Sequence, residues 1–194
     1  MDYLYKHWAY MCLPIAIYVG LLLVSSINQI PWIIFLIWLQ FPVYLLHEFE
    51  EHAYPGGFKD FVNHYVFHMT HQDIPLNQAN IFWINIPAIW ILFPLCAVLA
   101  QHYDLKIGAV LPIFGMFNAT LHIIAAIVKK MYNPGLLASV FLNYPSGIYT
   151  IYVMHQLDQF HLSNFTYSFL IALVVHAMII VYAVSRYRRL VKVG

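Results

Sequence analysis

PWIIFLIWLQFPVYLLHEFEE, residues 31–51, is almost entirely apolar up to Leu46 and carries ionisable residues at its end. A helix of this length, rising about 1.5 Å per residue, crosses the roughly 30 Å hydrocarbon core of a bilayer. Ionisable side chains at the edge of hydrocarbon are costly and usually mark a functional site. Because Glu50 and Glu51 follow His47 by three and four residues, all three project from one helical face. We therefore expect the chemistry of this protein at this end of the helix.

The composition of the whole chain is that of an integral membrane protein. Hydrophobic residues make up 62% of its 194 residues and charged residues only 9%, and the mean hydropathy is +0.71. A soluble domain carries about 25% charged residues, so this chain cannot cover a water-facing surface. Its formal net charge of +1 provides no basic face, which argues against nucleic acid as a partner.

Six segments are long and apolar enough to form spanning helices of about 20 residues each. They are residues 8–27, 31–51, 79–101, 105–128, 134–155 and 166–186. Membrane helices tolerate the prolines within several of them, because neighbouring helices satisfy the freed carbonyl groups. The sequence predicts an all-α fold, a polytopic bundle of six transmembrane helices, in a single domain over residues 1–194.

The basic residues outside the apolar segments predict the orientation of the bundle. Six spans put both termini on one side, together with the second-to-third and fourth-to-fifth connections. The other side carries only Lys106, whereas this side carries Lys6, Lys59, Lys129, Lys130, Arg186, Arg188, Arg189 and Lys192. By the positive-inside rule, we expect both termini in the cytoplasm and the protein in the cell membrane.

Alternating helix directions sort the polar side chains by depth in the membrane. His122 lies about 10 Å inside the cytoplasmic boundary of the fourth span, at about 1.5 Å per residue, and Asn118 lies one turn deeper on the same face. The second span ends in the same half of the bilayer. We therefore expect His122 and Asn118 to face His47, Glu50 and Glu51 across a pocket.

Imidazole and carboxylate groups at helical spacing are ligands for a divalent transition metal such as Zn or Fe. We predict that His47, Glu51 and His122 bind the metal, with Glu50 as a fourth ligand or a general base. An open coordination position lowers the pKa of a bound water toward about 7. Glu50 and Glu51 are then candidates for proton transfer and Asn118 for orienting substrate. No motif implies an organic cofactor.

The other ionisable residues at the end of the second span are not expected to bind the metal. We expect Glu48 to be a solvated residue of the helix end and His52 to be an interfacial auxiliary. The carboxylates of a dinuclear centre come from several helices. Because the acids of this half are concentrated on the second span, the sequence favours a mononuclear centre.

The segment after the second span predicts a short interfacial helix between the second and third spans. Tyr54-Pro55-Gly56-Gly57 ends the span with strong turn chemistry. Residues 58–69 then form an amphipathic helix, too short to cross the membrane, that lies in the interface plane. Its polar face carries His64 and His68 one turn apart, and both are further candidate ligands above the pocket.

Several of these residues form a pattern that resembles a known family. The pattern consists of His47, Glu50 and Glu51, then Tyr54-Pro55-Gly56-Gly57-Phe58, Phe82-Trp83-Ile84-Asn85, Asn118 with His122, and Tyr132-Asn133-Pro134-Gly135-Leu136. It is similar to the signature of the HXXEE membrane-protein family, and the resemblance runs from the second to the fifth span. The resemblance implies that His122 acts together with the three motif residues of the second span.

Three functions fit this site. The first is a metal-dependent membrane enzyme that acts on a small apolar or lipid-like substrate at the cytoplasmic leaflet, among membrane lipids. Hydrolysis and oxidation by a mononuclear iron are both compatible with two histidines and a carboxylate. The second is a transporter of a small solute or metal ion. Asn143 and His176 are the few polar residues that continue toward the outer face, and the absence of an evident inverted repeat weakens this alternative. The third is a non-catalytic ligand-binding or structural bundle.

Overall fold

The structure, a computed structural model, describes residues 1–69 and 73–191 of the chain, so Lys192 lies outside the described residues. Within these two ranges every regular element is a helix, and six helices are long and apolar enough to cross a membrane. The predicted fold class, an all-α bundle of six spanning-length helices with a short helix after the second, is confirmed.

The helices follow one another with short connections. Their bounds are α1 Asp2–Ser25, α2 Trp32–His52, α3 residues 58–66, α4 Gln78–His102, α5 Leu105–Lys129, α6 Leu136–Gln156 and α7 Leu162–Val191. Helix α1 begins six residues earlier than the sequence predicts, and α7 extends beyond the predicted segment at both ends. The first turns of α5 are a 3₁₀-helix, Leu105–Ala109.

Two of the long helices widen ahead of a proline. A π-helical segment, Ile86–Leu92, precedes Pro94 in α4, and another, Ser139–Asn143, precedes Pro145 in α6. A proline ring inside a helix clashes with the carbonyl four residues earlier, and in both helices that carbonyl belongs to the π-helical segment. The wider turns accommodate the rings without ending either helix.

Helix α2 is the central helix of the bundle. Its most apolar stretch is 72% buried, whereas the corresponding stretches of the other five spanning-length helices are 39% buried or less. It packs against α1, α4, α5 and α6. The ionisable residues at its C-terminal end therefore lie inside the protein.

The connection between α2 and α4 closes one end of the bundle. Gly56 and Gly57 have φ angles of +68° and +94°, which turn the chain from α2 into α3. The Asn63 side-chain amide donates to the Leu76 carbonyl at 2.8 Å and accepts from the Leu76 N–H at 3.0 Å. This pair of hydrogen bonds ties α3 to the start of α4.

Candidate metal centre

Helix α2 supplies the first two groups of the site. His47 is fully buried and Glu51 is 6% exposed. They are four residues apart, so they lie on one face of the helix, and His47 Nε2 is 3.2 Å from Glu51 Oε2. The burial is a consequence of the central position of α2.

Helix α5 brings the third group to the same point. His122 is buried, and its Nε2 lies 3.8 Å from Glu51 Oε1. One ligand atom from each of His47, Glu51 and His122 lies within 4.8 Å of the others. Two ligands held about 2.1 Å from a tetrahedral zinc are themselves about 3.4 Å apart. The three side chains can therefore hold a metal ion, in the combination that the sequence predicts.

The segment between α5 and α6 fixes the tautomer of His122. The Asn133 side-chain amide donates to the His122 carbonyl at 2.9 Å, which turns its Oδ1 toward the ring. His122 Nδ1 donates to this Oδ1 at 2.7 Å. A neutral imidazole has one N–H, so Nε2 carries the lone pair and faces Glu51. Metal-binding histidines are oriented by the same kind of hydrogen bond.

The Asn118 amide lies between two histidines. Its Nδ2 is 2.9 Å from His47 Nε2, and its Oδ1 is 3.3 Å from His176 Nε2. His176 in turn contacts the Ala172 carbonyl through Nδ1 at 2.7 Å. Asn118 thus lies at the centre, as the sequence predicts, and it joins α7 to the site. Its role in orienting substrate stays a prediction.

Gly135 lies against both histidine rings of the site. Its φ is +97°, and a Cβ added to it would lie 2.7 Å from His122 Cε1 and 2.9 Å from His47 Cε1. Real Cβ atoms essentially never approach other atoms so closely. The backbone of the segment before α6 therefore forms one wall of the site, and only glycine leaves room for the two rings.

The structure places Glu50 on another side of α2, against the start of α6. Its Oε1 accepts hydrogen bonds from the Tyr132 hydroxyl at 2.7 Å and the Leu137 N–H at 3.0 Å, and its Oε2 accepts from the Ala138 N–H at 2.6 Å. Burial and the bonded Glu50 carboxylate raise the pKa of the Tyr132 hydroxyl well above its ordinary value, so Tyr132 stays a donor. Glu50 satisfies free N–H groups of a helix N-terminus, and the structure does not bring it to the cluster.

Glu48 and His52 are more deeply placed than the sequence indicates. Glu48 is 1% exposed, so the expectation of a solvated residue is wrong. The physical reason is that α2 has no water-facing side at this level. His52 Nε2 lies 3.5 Å from Glu48 Oε2 and 3.6 Å from Glu51 Oε2. Sequence reasoning missed this second group, although the four-residue spacing of Glu48 and His52 repeats that of His47 and Glu51.

The two histidines of α3 and its end do not reach the cluster. His64 Nδ1 contacts the Asp60 carbonyl at 3.1 Å within its own helix, and His68 is an exposed residue with a φ of +56°. Neither belongs to the groups whose ligand atoms converge in the described part of the chain. The structure therefore does not bring these two further candidate ligands to the site.

A cavity of about 400 Å³ extends from the cluster between α3, α4, α5 and α7. Its walls are mostly apolar side chains, including Phe58 and Phe61 of α3. The polar residues that line it are Glu51, His52, Asn85, Asn118, His122, Asn133 and His176. Small-molecule sites have this character, an apolar pocket of roughly 300–1,000 Å³ with a few convergent polar groups.

The fold and the site together define the class of this protein. It is an all-helical bundle, with helices of membrane-spanning length and a buried histidine–glutamate cluster that can hold a metal ion. Over residues 38–150, more than half of its length, the chain matches the family described as "Protein of unknown function with HXXEE motif". The chain belongs to this family, which confirms the resemblance of the motif. No curated protein and no solved structure matches it.

Proposed function

We propose that the protein is a metal-dependent hydrolase of the membrane, acting on a small apolar or lipid-like substrate. The observation that carries this proposal is the convergence of His47, Glu51 and His122 beside an apolar cavity that Glu51 and His122 line. A site for a polar metabolite would have polar walls. Here the candidate metal-binding groups lie beside an apolar cavity that suits a hydrocarbon chain.

The ligand set supports catalysis rather than a purely structural metal. Structural zinc sites have four protein ligands, whereas catalytic sites have three and an open position. His47, His122 and Glu51 supply two imidazoles and one carboxylate. A divalent ion held by these groups provides activation of water near neutral pH.

The surface of the bundle between α4 and α7 supports entry from the lipid phase. A second cavity of about 250 Å³ shares Ile84, Val175 and Ile179 with the first. Its other lining residues, Met178 and Tyr182, are 60% and 43% exposed on the outside of the bundle. A substrate dissolved in the bilayer thus has an apolar path between two helices to the cluster.

Hydrolysis is the reaction that we assign, because it consumes only the substrate and water. The oxygen of water adds to an acyl carbon, the bond to the leaving oxygen or nitrogen breaks, and the leaving group takes the proton. Glu51, the acidic residue among those that line the cavity, would hold the ion that activates this water. Asn118, at the same wall, donates to the substrate carbonyl.

The charge distribution gives the proposed location. Six spanning helices with basic residues concentrated on one set of loops correspond to a protein of the cell membrane with both termini in the cytoplasm. The metal centre then lies in the cytoplasmic half of the bilayer, and its substrate comes from that leaflet.

The test combines metal analysis with turnover in lipid nanodiscs. Wild-type protein, His47→Ala, His122→Ala and the control His102→Ala, which alters an exposed histidine, are purified without chelators. We expect bound metal and hydrolysis of long-chain fluorogenic esters or amides in wild type and control, and less bound metal per chain with no hydrolysis in the two site variants. A folded wild type that binds no added Zn²⁺, Fe²⁺ or Mn²⁺ contradicts the proposal.

A further inference from the structure

We infer that the centre holds two divalent cations, the second bound by Glu48, His52 and a shared Glu51. This inference rests on the proposed metal centre and extends it from one ion to a bridged pair. It differs from the mononuclear site that the sequence favours. The acids are indeed concentrated on the second span, but Glu48 is buried and not solvated as expected, so this one helix supplies both carboxylates of the pair.

The geometry of the second set matches that of the first. His52 Nε2 lies 3.5 Å from Glu48 Oε2 and 3.6 Å from Glu51 Oε2. One ligand atom from each of the three residues lies within 4.8 Å of the others. These separations are close to the roughly 3.4 Å expected between neighbouring ligands of one ion. An imidazole and two carboxylates are a ligand set for zinc, iron or manganese.

His52 Nε2 cannot bond to all the groups around it. It lies 3.1 Å from the amide nitrogen Nδ2 of Asn85, in addition to its two carboxylate contacts. A ring nitrogen offers one proton or one lone pair. When it accepts from the Asn85 amide, it has no proton for the two carboxylates, so it meets them as a third acceptor without a donor. A cation on Nε2, in the place of the Asn85 N–H, resolves this conflict.

Glu48 is the independent observation that points to a ligand. Its Oε2 is buried and has no hydrogen-bond partner, and the residue is 1% exposed. In the described part of the chain, the ion-pair partners of Glu48 and Glu51 are histidines alone, while Lys59 pairs with Asp60 and Asp73. A buried carboxylate without a compensating charge is strongly destabilising. Two carboxylates and three imidazoles instead form a suitable environment for two cations.

Glu51 connects the two ligand sets. Its Oε2 lies near both His47 and His52, one histidine from each set, and its Oε1 faces His122. The carboxylate is therefore placed as a bridge between two ions, which in two-metal hydrolytic sites lie about 3.5–4 Å apart. Such a pair stabilises both the attacking and the leaving oxygen of a hydrolysis reaction.

The experiment counts Mn²⁺ ions per chain. Metal-free protein in nanodiscs is titrated with Mn²⁺, unbound ion is removed, and manganese and protein are quantified, while electron paramagnetic resonance reports whether two ions are coupled. We expect two ions per wild-type chain with an exchange-coupled spectrum, and one isolated ion in Glu48→Gln and in His52→Gln. The reciprocal variant His122→Ala should also retain one ion. His155→Gln, an exposed histidine, is the control and should retain two.

The alternatives give different results. One ion in the wild type, unchanged in Glu48→Gln, overturns the second site and leaves the proposed metal centre standing. No bound ion in a folded wild type overturns the metal centre itself. The melting temperature of Glu48→Gln also distinguishes metal ligation from simple ion pairing. If Glu48 is a ligand, adding Mn²⁺ raises the melting temperature of this variant less than that of the wild type. An equal rise in both proteins contradicts the inference.

Discussion

Replacing Gly135 by alanine should disable the metal centre while leaving the helices in place. The added Cβ would lie 2.7 Å from His122 Cε1 and 2.9 Å from His47 Cε1. Ordinary van der Waals contact begins at 3.4 Å, so the His122 ring has to move by about 0.7 Å. Functional sites tolerate displacements of about 0.5 Å. A comparable disturbance of groups that orient metal ligands lowers metal affinity about 10- to 100-fold, and we expect a loss of that size.

Gly57 provides a matched control for the backbone part of this change. Its φ of +94° is close to the +97° of Gly135, but a Cβ there would meet only Pro134 Cγ, at 3.8 Å. Both substitutions cost about 1–2 kcal/mol for a non-glycine residue in the left-handed region. Gly135→Ala adds about 1–3 kcal/mol for overpacking against the two rings. The difference between the two variants therefore isolates the contact with the histidines.

The assay measures zinc affinity by competition with a chromophoric chelator, and stability by thermal unfolding of the same detergent-solubilised samples. We expect Gly57→Ala to bind Zn²⁺ like wild type and Gly135→Ala to bind it at least tenfold more weakly. Equal zinc affinities in the two variants would refute the reasoning, because the clash with His47 and His122 would then have no effect on the site.

Three further predictions test the surroundings of the centre. Glu50→Gln should lower the stability by about 1.5–3 kcal/mol, the value of hydrogen bonds to a charged group, without changing the number of bound ions; loss of an ion would make Glu50 a ligand. Asn133→Ala should weaken zinc binding about 10- to 100-fold, because His122 loses its orienting acceptor; unchanged affinity in a titration would contradict that role. Val175→Trp should fill the path between α4 and α7 and slow substrate turnover at unchanged metal content, whereas full activity would place the entrance elsewhere.

Hydropathy was sufficient for the fold because a bilayer leaves few choices of structure. Backbone groups in hydrocarbon have to be satisfied within the segment, so each apolar run of about 20 residues becomes a helix. The ends of the helices follow weaker signals. Helix α7 continues through Arg188 and Arg189, since cations are favourable in the last turn of a helix. Hydropathy alone ended the predicted segment before these residues.

The site was predictable where spacing alone determines it. His47 and Glu51 are four residues apart on one helix, and the depth of His122 in α5 places it opposite them. Glu48 was missed because a carboxylate near a helix end is usually solvated. Glu48 is buried because four other helices pack around α2, and hydropathy does not reveal which of six apolar helices is the central one. The partners of Glu50 lie 82 to 88 residues away in sequence, and no local pattern predicts them.

The two adjacent glutamates of the motif act on the site in different ways. Glu51 faces the cavity and is common to both histidine sets, whereas Glu50, one residue before it, points about 100° around the helix and holds the N-terminus of α6. The segment that Glu50 anchors contains Asn133, which orients His122, and Gly135, which packs against both rings. Because the anchor and the ligand are consecutive on one rigid helix, the wall formed by residues 133–135 is fixed relative to the Glu51 carboxylate. The motif thus couples the histidine–glutamate cluster to the position of a segment distant in sequence, which completes a site that α2 alone cannot form.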